Sequence, residues 1–197
     1  MQIVFLSKQT PSEYANKDGM GKYPEAPEKC PFKECGINIP MKKNGFYIRY
    51  LIALGFAGDI RIRRYVCPKC GRTVSMLPSF CLAGYTYSIE FIISILLQVV
   101  ETGSIRGTVK EWGCRAENIS RRHIRLYMGR LRQNRQMIQY GLNQISPENV
   151  KIGSSPGDTE WTKRLLSEIQ PTLSPEFNAN FQKATGRSFM SLQKTIA

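Results

Sequence analysis

Four of the six cysteines fall in two close pairs, Cys30-Pro-Phe-Lys-Glu-Cys35-Gly and Cys67-Pro-Lys-Cys70-Gly, and this spacing constrains the chain more than any other feature. Two thiols two to four residues apart on a tight turn face one point, and two such turns together supply the four soft ligands of a tetrahedral site. The glycine after the second cysteine of each pair leaves room for backbone amides to approach the sulfurs. The residues between the pairs must then fold back so that the turns meet. Residues 47–54 and 60–66 are rich in aromatic and β-branched side chains, with Gly55 and Gly58 between them, and Ile60 and Ile62 alternate with Arg61 and Arg63. That is the period of a half-buried strand, so the pair is expected to form a hairpin within a zinc ribbon over residues 30–80.

Zn(II) suits four thiolates best, with iron a lesser competitor. The expected cofactor is one structural zinc ion held by Cys30, Cys35, Cys67 and Cys70. A redox role for Cys67 and Cys70 requires a strand-to-helix context that Arg64-Tyr65-Val66 and Gly71-Arg72-Thr73 do not supply. Cys81 and Cys114 have no partner at ligand spacing and read as small buried apolar side chains. The first ten residues carry none of the marks of a secretory leader, and the longest apolar stretch, residues 89–100, is interrupted by Glu90, Ser94 and Gln98. No export and no membrane partner are expected. A reducing cytoplasm, in which cysteines hold metal and do not pair, fits this reading.

Positive charge is segregated. The chain carries a formal +13, and residues 41–73 and 102–140 contribute +7 each, leaving −1 for everything else. The first segment holds Lys42, Lys43, Arg49, Arg61, Arg63, Arg64, Lys69 and Arg72 against Asp59 alone. Two concentrated basic segments in an otherwise neutral chain point to a polyanion, with nucleic acid the first candidate. The expected fold class is α+β, a small ribbon followed by a helical bundle. Residues 1–29 read as an irregular lead-in, 87–145 as the helical part, and 146–197 as a linker and weakly structured tail with a short helix around 161–169.

Within the helical part, Ser88 is a suitable N-cap for a helix with Phe91, Ile92, Ile95, Leu96 and Val99 on one face, ending near Gly103. Ser104 begins a second helix, with Ile105, Val109 and Trp112 on one face, ending at Gly113. A third is expected from about Ala116 through Tyr140, its apolar face formed by Ile119, His123, Leu126 or Tyr127, and Leu131. A short helix, a glycine turn and a helix with a basic face make a helix-turn-helix, whose second helix lies in the major groove. Val109, Trp112, Cys114, Ile119 and His123 would form its small core. Ala116, Asn118, Arg121, Arg122 and Arg125 would face outward, and Asn and Arg pair well with adenine, guanine and phosphate. With Arg61, Arg63 and Arg64 of the ribbon, these are the candidate DNA contacts.

The runs Cys30-Pro through Cys35-Gly, Lys43-Asn44-Gly45-Phe46-Tyr47-Ile48-Arg49, residues 60–73 with their Arg-Tyr-x-Cys-x-x-Cys-Gly-x-Thr element, and Leu77-Pro78-Ser79-Phe80 resemble the N-terminal zinc-ribbon region of insertion-sequence transposases. They are similar in particular to a family of bacterial proteins of unknown function, DUF6431. The resemblance covers about residues 28–135 and implies a ribbon followed by a helix-turn-helix that recognises element DNA. The four-residue gap between Cys30 and Cys35, where two is usual, is a departure from it. Transposase catalytic domains resembling ribonuclease H place two Asp and a Glu around two Mg(II) ions. With only Asp18, Asp59 and Asp158 available, no such domain is expected, and the chain reads as a non-enzymatic regulator, accessory factor or remnant of a mobile element. Its partners would be double-stranded DNA and a separate transposase or a second copy, in a bacterial cytoplasm and on the nucleoid. Two other readings are an RNA-binding ribbon, with Tyr47, Tyr50 and Tyr65 stacking on unpaired bases, and a protein-interaction adaptor.

Overall fold

A computed structural model describes residues 1–16, 23–113, 119–145, 157–170 and 172–191 of the chain. The fold is mixed α and β. Among the described residues there are a four-stranded sheet and seven helices. The strands are β1 (Gln2–Phe5), β2 (Lys42–Ala53), β3 (Phe56–Val66) and β4 (Thr73–Pro78), arranged β1-β4-β3-β2.

β2 and β3 form the long antiparallel hairpin expected from the alternation, closed at Leu54-Gly55, where Gly55 takes a φ of 70°. The turn is tighter than the sequence suggested. Gly58 lies inside β3, opposite Leu51, and not in the connection. The hairpin is also only part of the sheet. β4 pairs antiparallel with β3, and β1, drawn from the segment expected to be irregular, pairs parallel with β4. A four-residue strand such as Gln2–Phe5 is too short to show periodicity, and its place is set by the partner edge it finds. The same lead-in contributes α1 (Pro11–Asn16), whose fully buried Tyr14 packs with Leu51, Ile60, Ile62, Leu77 and Phe80.

α2 (Ile89–Thr102) has the limits the capping residues dictate. The Ser88 hydroxyl accepts the Phe91 amide, Gly103 closes the helix at φ 67°, and Phe91, Ile92, Ile95, Leu96 and Val99 are buried. α3 (Ile105–Trp112) is capped by Ser104, with Trp112 buried and Ile105 and Val109 packed at the core margin. The expected single helix from Ala116 to Tyr140 is instead two, α4 (Arg121–Gln133) and α5 (Arg135–Ile145), broken at Asn134. Ala116, Asn118 and Cys114 lie outside the described residues. Most of the expected apolar face is found, with Ile124 added to it. Ile124, Tyr127 and Leu131 are buried, His123 is only half-buried, and Leu126 is exposed.

The C-terminal region is the largest departure. The expected helix near Trp161 is α6 (Asp158–Ile169), but the remainder is not a loose tail, since α7 (Ser174–Thr185) follows and packs into the core. Trp161, Leu165, Phe181, Phe189 and Met190 are fully buried. The limits of α7 were present in the sequence: Pro175 in its first turn, Lys183 in its last, and Gly186 beyond. What hid it is a polar residue at a core position. Asn178 is buried and donates to the carbonyls of Ser79 and Cys81 at 2.8 and 2.9 Å. Buried Asn134 does the same for Phe189 and Ser191, at 2.7 and 2.8 Å.

α5 and α7 meet at Gly141, where a Cβ would stand 2.2 Å from the Phe181 ring. Overpacking of about 1–3 kcal/mol, set against a helix-propensity gain of about 1 kcal/mol, should leave Gly141→Ala less stable by up to about 2 kcal/mol. Denaturant unfolding checks this, and the added substitution Phe181→Leu should restore much of the loss.

Candidate metal centre

The two cysteine pairs sit at the same end of the sheet. The first precedes β2, and the second is the connection from β3 to β4. In the first loop the Phe32 carbonyl accepts the amides of Cys35 and Gly36, and the Cys30 amide donates to Ile37, pinching the loop at its base. This turn absorbs the longer spacer, and Gly36 makes it possible with a φ of 51°. In the second loop the Cys67 amide donates to Arg72, the Gly71 amide donates to Cys67, and Gly71 has a φ of 69°. The loops are built alike.

All four sulfurs lie within 4.8 Å of one another, with Cys30 to Cys70 and Cys35 to Cys67 each at 3.8 Å. A tetrahedron with metal–sulfur bonds of about 2.3 Å has edges of about 3.8 Å. These are free thiols too far apart for a disulfide bond, and the donor set fits a tetrahedral ion that closes all four positions. Cys67 and Cys70 are followed by a strand, so the redox context of a thiol pair heading a helix is absent at this site. Cys81, the one cysteine outside the two pairs among the described residues, is fully buried, and burial pushes its thiol up to about 12.

The surroundings prepare the sulfurs unequally. The Arg72 amide beside Cys70, with its guanidinium adding to the effect, holds that thiol down to about 6. Burial pushes Cys30 up to about 12. Arg72 also joins the two loops. Its guanidinium lies over the Phe32 ring at 4.4 Å and pairs with Glu34 at 2.9 Å. This clasp is not evident from the cysteine spacing, since Phe32 and Glu34 look like spacer residues. Cys30 and Cys67 form a small core with Met41, Tyr65, Val74 and Met76, so the site is anchored to β3 and β4.

The structure places the candidate DNA residues on two elements. On β3, Arg61 is exposed, and Arg63 and Arg64 are half-buried, Arg63 lying over Phe46 at 4.5 Å. On α4, Arg121, Arg122 and Arg125 are exposed. Asn118 is outside the described residues. Arg49, counted with the basic segment, is instead structural, donating to the carbonyls of Leu82 and Tyr85. His123 belongs to the cap of α4. Its Nδ1 accepts the Ser120 amide at 3.3 Å while the Ser120 hydroxyl accepts the His123 amide. Of the tyrosines proposed to stack on bases, Tyr65 is buried with its hydroxyl donating to Pro24, and Tyr47 is half-buried; Tyr50 is exposed.

Among the described residues, no helix is long and apolar enough to cross a membrane. Comparison of the chain with protein-family models, with curated proteins and with solved structures gives no match.

Cys67→Ser should abolish metal binding and unfold the two loops, because site formation and local folding are one event. Metal analysis and circular dichroism check this; Cys81→Ala should keep its metal. Protons compete with the metal for the sulfurs: Cys70 is held as thiolate down to about pH 6, whereas Cys30, pushed up to about 12, loses its proton to solvent only when a metal displaces it. Affinity should therefore rise with pH, and fall more steeply once acidification passes about pH 6 and Cys70 must also be deprotonated. A chelator-competition titration across pH 5–8 would show that break.

Proposed function

We propose that the chain is a zinc-containing protein that binds duplex DNA, resembles the DNA-recognition part of transposases, and carries out no catalytic step of its own. The zinc is structural. It closes the four-cysteine site of a ribbon whose strands present Arg61, Arg63 and Arg64, and the helices beyond supply a reading element.

The observation that carries this reading is the first turn of α4. Arg121 and Arg122 occupy it, both exposed, with Arg125 one turn on and no acidic residue in that first turn. Cations at a helix N-terminus oppose the macrodipole and cost stability. An anionic partner turns that cost into binding, because the free amides and the guanidiniums then act on the same phosphates and base edges. The helix is held firmly enough to present them, by the Ser120–His123 capping box and by buried Ile124, Tyr127 and Leu131. α3 packs on α2 and against α4, as a bracing helix must. The support for this reading comes from the exposed face of α4. A regulatory or accessory role beside a separate transposase, in a bacterial cytoplasm, is the biological setting that this reading and the resemblance favour.

Arg121→Ala or Arg122→Ala should cost about 1–3 kcal/mol on the preferred duplex and flatten sequence preference. Arg61→Ala should weaken all duplexes alike and lower the salt slope by about one for a lost phosphate contact. Selection from a randomised duplex pool, followed by titration, tests both. An unchanged motif and affinity in the α4 variants, with an altered motif in the ribbon variant, would make the ribbon the reader.

A further inference from the structure

The β2–β3 hairpin leaves one row of large apolar side chains in water. Phe46, Ile48 and Tyr50 are 41, 68 and 47% exposed. Directly opposite them in register stand Arg63, Arg61 and Asp59. Directly opposed residues of an antiparallel pair project from the same face, so an apolar row runs beside a row that is basic along most of its length. Exposed Lys42 and Lys43 extend the positive charge at the start of β2. An apolar patch of this kind marks an interaction surface, and its cationic border selects an anion with flat apolar groups.

We propose that this face binds an unpaired nucleic-acid strand, with bases stacking on Phe46 and Tyr50 across Ile48 and phosphates held by Arg61 and Arg63. Spacing decides between unpaired and paired strands. Phe46 and Tyr50, four residues apart on β2, stand about 13 Å apart along the strand, about four times the roughly 3.4 Å step of one strand in a duplex. Only a strand whose bases have come apart can match that spacing, and stacking on aromatic side chains is how such strands are held. Asp59, at the Tyr50 end, sets the limit of the phosphate track. The surface continues toward α4. At the edge of β2, Tyr50 also borders a shallow depression that Tyr47 and Arg49 of the other face line with the turn at 84–86, and that turn together with His123, Leu126 and Arg130 of α4 lines a cleft of about 290 Å³. A strand leaving a duplex held by α4 would cross this turn to reach the ribbon. The proposal extends the duplex reading of α4 without depending on it.

The test uses the full-length, metal-loaded chain and fluorescence anisotropy with labelled oligothymidylate, oligouridylate and a hairpin duplex. Tyr50→Ala should weaken binding to the single strands by about 5- to 150-fold, the loss of one stacked base, and leave duplex affinity and thermal unfolding unchanged. Asp59→Asn should strengthen single-strand binding. Phe46 is a poorer choice, because it packs on Tyr23 and under Arg63. The proposal is overturned if neither single strand binds, if Tyr50→Ala weakens duplex and single strand equally, or if Ile48→Ala abolishes self-association in sedimentation while single strands never bind. Single-strand binding sensitive to Tyr50 in a protein that ignores duplex would sustain the proposal and remove the duplex reading.

Discussion

Two buried carboxamides hold the molecule together. Asn178 gives both its amide hydrogens to the backbone where the chain leaves the sheet, at Ser79 and Cys81. Asn134, at the break between α4 and α5, gives both of its own to the last described turn, at Phe189 and Ser191. A buried amide is costly unless bonded, so each asparagine fixes one relative position of the segments it joins. Hydrophobic contacts alone would let α7 slide. With these bonds it is locked against the exit of the sheet on one side, and the residues after it are locked against the helices on the other. The apolar filling, Trp161, Phe181, Phe189 and Met190, then closes one continuous core around α2. Sheet and helices are expected to unfold as one unit.

The metal centre is organised differently. It lies at the end of the sheet, on two loops whose internal hydrogen bonds are local and few. Local bonds of this kind do little to hold four sulfurs in place, which is what a cation on them would do; the sheet's contribution is to deliver the loops to the same end. The clasp of Arg72 with Phe32 and Glu34 lies on the exposed side, where it holds the loops at their outer margin while the sulfurs hold them within. The small core of Met41, Tyr65, Val74 and Met76 separates this centre from the larger one.

What the sequence displays and what it conceals follow from the range of the interactions. The hairpin, the caps at Ser88, Gly103 and Ser104, and the convergence of Cys30, Cys35, Cys67 and Cys70 were legible because each is set by residues a few positions apart or by a strict chemical spacing. β1 was not, because its only reason to be a strand is the free edge of β4, more than 70 positions away. α7 was hidden by Asn178, a polar residue whose partners lie 97 and 99 positions distant. The break at Asn134 is hidden for the same reason, and local periodicity leaves Leu126 and Tyr127 as alternatives that only packing decides, Tyr127 going inward and Leu126 to water. Within the first basic segment, Arg49 looks like any other cation until the fold brings the carbonyls of Leu82 and Tyr85 within its reach. The row of Phe46, Ile48 and Tyr50 alternates visibly, but alternation does not tell which face is covered.

Gln182 has a consequence of its own. Its side chain accepts the Val4 amide and donates to the Gln2 carbonyl, the two groups that β1 turns away from the sheet. It does for β1 what the peptide group of a fifth strand would do. An uncovered strand edge recruits other chains, so the residue that keeps this one solitary belongs to the last helix, while the strand it guards is the first made. During synthesis the N-terminal strand emerges long before its cover exists. A chain stalled or cut before residue 182 would present the β1 edge of the sheet uncovered as well as that of β2, and association with its own kind would compete with folding.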